Sequence, residues 1–112
     1  MNIDAYLKRI GIAEKKKPDL DFLAELQNRH LLSIPFENLD IVPLRKQFGI
    51  DVKKIFKKIV IDNRGGFCYE NNAIFGAALE SLGYNVTYLS AGVMNDKGEF
   101  GPEFDHMTLF VQ

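Results

Sequence analysis

Arg64-Gly65-Gly66-Phe67-Cys68 runs into a helical pattern that stops at Leu82-Gly83, and Tyr84-Asn85-Val86-Thr87-Tyr88-Leu89 follows. Asp62 to Gly66 is loop by composition, Cys68 opens a helix, and Gly83 sits where a helix-ending glycine belongs. The buried stripe of that helix is expected to be Phe75, Ala78, Leu79 and Leu82. After Gly83 the residues become aromatic and β-branched, which is a strand signal. Asn95-Asp96-Lys97-Gly98 reads as a turn, and alternation from Phe104 to Val111 gives a second strand. In it, Phe104, His106, Thr108 and Phe110 share one face, and Met107, Leu109 and Val111 the other.

Upstream of the loop the chain is helical. Ile3, Tyr6, Leu7 and Ile10 mark one helix face, with Gly11 as its stop. Asp19 is the expected N-cap of a helix reaching about Leu32, with Leu20, Leu23, Leu26 and Leu31 as its apolar face and Phe22 on the flank. Ile34-Pro35-Phe36-Glu37-Asn38-Leu39-Asp40 reads as a loop or short helical turn, and Pro43 and Gly49 keep the next stretch irregular. Asp51 is the expected cap of a helix with the stripe Val52, Ile55, Phe56 and Ile59. Lys53, Lys54, Lys57 and Lys58 are expected on its solvated opposite face. Helices first and strands last imply an α+β fold. The expected division is a helical domain over 1–83 carrying Cys68, followed at 84–112 by the first strands of an incomplete sheet domain.

The chain has 112 residues, the size of one domain, and 14 basic side chains against 15 acidic ones leave a net charge of −1. That balance asks for neither nucleic acid nor an anionic membrane. A single cysteine fits a reducing compartment. The first residues hold no signal-peptide block and no apolar run spans a bilayer, so the expected location is the cytoplasm. One cysteine and two scattered histidines offer no metal-ligand spacing, so no metal is expected.

The chemistry-bearing candidate is Cys68. Free cysteines are most often small buried hydrophobes. A thiol at a helix start is easier to ionise, and the thiolate is the nucleophile. Gly65 and Gly66 let the backbone turn sharply and let a substrate approach. His106, on a later strand, is the candidate partner that takes the thiol proton, as in cysteine nucleophile–histidine layouts. A half-buried strand histidine is the plainer reading of the same residue. Asp105 is its neighbour but points to the opposite face. His30 falls late in a helix, where it suits the helix end.

Three strings, Arg64-Gly65-Gly66-Phe67-Cys68, Ile34-Pro35-Phe36-Glu37-Asn38-Leu39 and Phe104-Asp105-His106-Met107, resemble the N-terminal part of the arylamine N-acetyltransferases in content, order and spacing. The resemblance implies a helical bundle followed by the first strands of an antiparallel β-barrel, a truncated form of that family's cysteine-protease-like fold. It implies acetyl transfer from acetyl-CoA to an arylamine or hydrazine through an acetyl-cysteine, in ping-pong order. Cys68 is then the nucleophile and His106 its ion-pair partner. Phe36 and Phe67 border the substrate, and Arg64 and Glu37 are structural. The family's orienting aspartate lies on the strand after the histidine, a position beyond Gln112, as do the remaining barrel and the lid that helps hold CoA. Loss of an orienting acid costs on the order of 10⁴ in kcat, so the 112-residue chain alone is expected to be weak or inactive. Two alternatives stand beside this reading. One is a thiol hydrolase or transglutaminase-like enzyme. The other is an inactive remnant acting as a binding module that self-associates through exposed sheet edges.

Overall fold

The computed structural model describes residues 1–37, 51–92, 94–99 and 106–112. Helix α1 spans Ile3–Arg9, α2 Leu20–Ser33, α3 Val52–Phe56 and α4 Cys68–Ser81; strands β1 and β2 span Val86–Ala91 and His106–Val111. The expected order of helices before strands, and the α+β class, are what is found. Among the described residues, no helix is long and apolar enough to cross a membrane.

Local chemistry fixes the helix ends. Asn2 Oδ1 accepts the Ala5 N–H at 3.1 Å, Asp19 Oδ1 the Phe22 N–H at 2.8 Å, and Asp51 Oδ1 the Lys53 N–H at 3.0 Å. Each satisfies an amide that the first turn leaves without a helical partner. Gly11 and Gly83, at φ +80° and +98°, take the left-handed conformation that ends α1 and α4.

The first correction falls on α2. Leu20 is 78 % exposed and Leu31 70 %. The buried row is instead Phe22, Leu26 and His30. These are spaced four apart and stack on one face. His30 sits in that row with its Nδ1 partnered by the Tyr6 hydroxyl at 2.8 Å.

The helix begun at α3 changes character. Lys57–Ile61 forms a π segment, a wider turn. The Asp62 N–H closes it onto the Lys57 carbonyl at 2.8 Å, and the Arg64 N–H reaches the Lys58 carbonyl at 3.1 Å. Ile55 and Ile59 face the core as expected. Lys58 does not face solvent with the other lysines: its side chain is only 11 % exposed.

Helix α4 is central, packed by α1, α3, β1 and β2. It therefore buries more than one stripe, with Ala73, Ile74 and Gly76 added to the expected Ala78 and Leu79. Phe75 and Leu82 are only half-buried. The strands form an antiparallel pair in which Val86 faces Val111, Tyr88 faces Leu109 and Ala91 faces His106. Met107, Leu109 and Val111 pack on the core while Thr108 and Phe110 are exposed, as the alternation requires. A Cβ on Gly76 would lie 2.6 Å from the Tyr88 hydroxyl, so glycine lets this ring lie directly on the helix. The turn at Asn95 to Gly98 forms as expected, with Asn95 Oδ1 accepting the Lys97 and Glu99 N–H groups.

Candidate active site

Cys68 is the first residue of α4, half-buried, with a free thiol. Its approach is held from several sides. The Gly66 N–H donates to the Pro35 carbonyl at 3.1 Å, and the Glu37 N–H donates to the Gly66 carbonyl at 3.0 Å. This short parallel bridge seats Phe36 beside Gly66, two residues from the thiol. The string Ile34 to Asp40 is thus partly a bridging segment rather than a free loop, and Asn38 to Asp40 lie outside the described residues. No side chain fits at Gly65, where a Cβ would lie 2.0 Å from the Pro35 carbonyl oxygen, and one on Gly66 would meet Glu70 at 2.9 Å. Two glycines let two backbone segments touch here.

Charged side chains lock this arrangement. Glu37 pairs with the Arg64 guanidinium through Oε1 and accepts the Gly65 N–H through Oε2 at 3.0 Å. Burial opposes its charge, but the Arg64 and Gly65 hydrogen bonds, with the charges of Arg64 and Lys58, outweigh it and hold the carboxyl below its ordinary range. Glu70, in the first turn of α4, accepts the Phe67 N–H through Oε1 at 3.3 Å and the Lys58 ammonium at 2.8 Å. Lys58 Nζ also lies 3.9 Å from Glu37 Oε1. Arg9 donates to the carbonyls of Ile59 at 2.8 Å, Ser33 at 2.7 Å and Arg64 at 3.2 Å. It thereby ties α1 to the end of α2, the π segment and the loop.

The other candidates fall around this core. Phe36 is 65 % exposed. Phe67 is half-buried, its ring 6.3 Å from that of Tyr69. His106 opens β2 opposite Ala91; its side chain lies outside the described residues, as do Phe104 and Asp105. Asn72 Nδ2 donates to the Met107 carbonyl at 2.6 Å. Asn72 is one turn beyond Cys68 on the same helix face, about 6 Å along the axis. This tether therefore draws the backbone next to His106 against the Cys68 end of α4.

Four parts of the site escaped sequence reasoning: Lys58, Arg9, the asparagines of α4 and the Tyr6–His30 pair. His30 does not serve a helix end. Burial, then the charge of Arg9, pushes its imidazole down to about 4, so it is neutral. It borders a cavity of about 240 Å³ between α2, α4 and β2, with Asn71, Asn72 and Phe75 opposite. Among the described residues, His30 Nε2 and Asn71 Oδ1 are buried without a hydrogen-bond partner.

A family model described as N-acetyltransferase matches residues 19–112, from the α2 cap to the end of the chain. The chain belongs to the arylamine N-acetyltransferase family. The match takes in Phe36, Phe67, Cys68 and His106. The arylamine N-acetyltransferase pineal gland isozyme NAT-3 of Gallus gallus is 39 % identical over 99 % of this chain and 39 % of its own length. The arylamine N-acetyltransferase of Mycolicibacterium smegmatis is 38 % identical over 91 % of this chain and 37 % of its own. Among solved structures, a Mycobacterium marinum arylamine N-acetyltransferase in complex with CoA superposes with a TM-score of 0.89 at 31 % identity, covering 99 % of this chain and 41 % of that one. The chain thus spans about two-fifths of the length of these relatives.

Proposed function

We propose that this chain carries the nucleophile-bearing part of an enzyme that moves an acetyl group from acetyl-CoA to an arylamine or hydrazine. Cys68 thiolate attacks the thioester carbonyl. The carbon–sulfur bond to CoA breaks, CoA leaves as its thiol after taking a proton, and acetyl-Cys68 remains. The amine nitrogen then attacks that carbonyl, loses a proton, and releases the thiol in ping-pong order. His106 takes and returns the thiol proton. The N–H groups at the start of α4 stabilise the oxyanion of each tetrahedral intermediate. Phe36 and Phe67 border the acceptor. Residues 1–83 form the helical unit and 84–112 the first strands of the sheet unit, in a cytoplasmic protein that uses no metal. Alone, the chain turns over weakly and is open to self-association along its sheet edges.

The observation that carries this reading is the placement of Cys68. The thiol stands at the first residue of a 14-residue helix, behind a glycine turn bridged to the Phe36 segment. The coarser activity rests on the family, and a relative solved with CoA supports the donor.

Intact mass after incubation with excess acetyl-CoA and an acid quench tests it. One acetyl group is expected on the native chain and none on Cys68→Ala. Equal labelling of both would overturn the proposal, and an unmodified native chain would mean that this piece is inert by itself and that the transfer belongs to the longer family protein.

A further inference from the structure

We propose that Lys58 is a positioning residue for Cys68. Its ammonium joins the two carboxylates that hold the glycine turn and balances their charge beside the start of α4. The inference rests on Cys68 being the nucleophile and assigns a role to a side chain outside the reacting atoms.

Lys58 stands in a run of lysines that reads as a solvated face, yet its side chain is 11 % exposed and its Glu70 partner 9 %. A lysine stem buried to that degree, 2.8 Å from one carboxylate and 3.9 Å from another, is held by those charges. The contacts are also directional. Glu70 Oε1 is shared between Lys58 Nζ and the Phe67 N–H, so the ammonium orients the oxygen that caps the residue before Cys68. The Lys58 carbonyl accepts the Arg64 N–H, so one residue holds the loop through both its backbone and its side chain.

Among the described residues, the carboxylates of Glu37 and Glu70 stand against the cations of Lys58 and Arg64. Removing the Lys58 ammonium makes the turn one charge more negative where a thiolate must form, and a like charge disfavours the ionised form. Among the described residues, the other ionisable groups near this helix start are Arg9, whose guanidinium reaches the Arg64 carbonyl, and Tyr69 on α4 itself. Neither of them replaces an ammonium seated between the two carboxylates.

Cys68 is the only thiol in the chain, so iodoacetamide labelling reads it alone. The rate is measured across pH for the native chain, Lys58→Met, Lys58→Arg and the double variant Lys58→Met with Glu70→Gln. Lys58→Met is expected to move the profile about one unit to higher pH, which slows labelling near neutrality about tenfold. Lys58→Arg keeps the charge and stays within about threefold of native on the same argument. The double variant removes one charge of each sign and returns the profile toward native, which a merely structural role would not do. If Lys58→Met fails to fold, Lys58→Gln serves in its place, because its amide still donates to Glu70. A native profile in the single variant, or a shift that the double variant retains, would overturn the proposal. Labelling needs no acetyl donor, so failure of Cys68 to take an acetyl group would leave this result intact.

Discussion

Two polar clusters pack against α4, and they are built in opposite ways. At its N-terminal end, Glu37, Lys58, Arg64 and Glu70 form ion pairs with one another and hydrogen bonds with backbone amides. In the core behind it, Tyr6 and His30 stay neutral and share one hydrogen bond. The first cluster locks a loop that is otherwise held by a few backbone hydrogen bonds. The second sits in the core with the buried side chains of Phe22, Leu26 and Ile10, and it only has to avoid charge. Charge is thus concentrated where position must be imposed, and neutrality is kept where packing already imposes it.

Removing one member of the charged cluster should break this contrast most visibly. Glu70→Ala takes from the buried Lys58 ammonium the carboxylate 2.8 Å away and from the Phe67 amide the Glu70 oxygen. Stripping one partner from a buried pair costs roughly 3–5 kcal/mol. Urea unfolding is expected to show a loss of that size, and a loss below about 1 kcal/mol would put the pair among surface ion pairs.

The neutral cluster should respond to pH. The imidazole of His30 is lowered from 6.5 to about 4 in the folded chain. Between those values the unfolded chain binds a proton that the folded chain refuses. The contribution is therefore whole above the unfolded value and is lost progressively as pH falls toward the folded one. It amounts to about 3 kcal/mol in all. Unfolding at about pH 7 and about pH 4.5 should show a steeper loss for the native chain than for His30→Gln, which cannot take up that proton. Equal losses would mean that His30 is protonated without penalty.

The smallest effect marks where charge does neither job. Lys16 and Glu25 pair at 2.8 Å with side chains 55 % and 36 % exposed. Lys16→Ala should change stability by less than about 1 kcal/mol, and raised salt should erase the difference.

Element type and ends were legible because they depend on near neighbours. Asp19 and Asp51 cap where expected, and Gly11 and Gly83 terminate where expected. The face of α2 was legible in part. Leu26 is buried and Leu23 packs against the core as expected, whereas Leu20 and Leu31 are exposed. A histidine completes the buried row, and histidine looks polar until Tyr6, 24 residues away, supplies a partner. The same holds at the site. Cys68, Phe36 and their glycines are readable from motif and chain chemistry. Lys58 is hidden in a lysine run, because its partner Glu70 lies across a turn and a π segment intervenes. Arg9 binds only carbonyls, and no sequence pattern marks those. Contacts made over long separations are set by packing, which local composition does not encode.

The Asn72 tether bears on the order in which the molecule assembles. It joins residues 35 apart, and α4 can form from local contacts well before β2 arrives. A two-stranded hairpin has little stability of its own in water. The strands therefore fold on a template, with the Asn72 amide as one of its first docking points. Amide protons of β1 and β2 should exchange with solvent through undocking of the hairpin, while those in the middle of α4 wait for the whole chain to open.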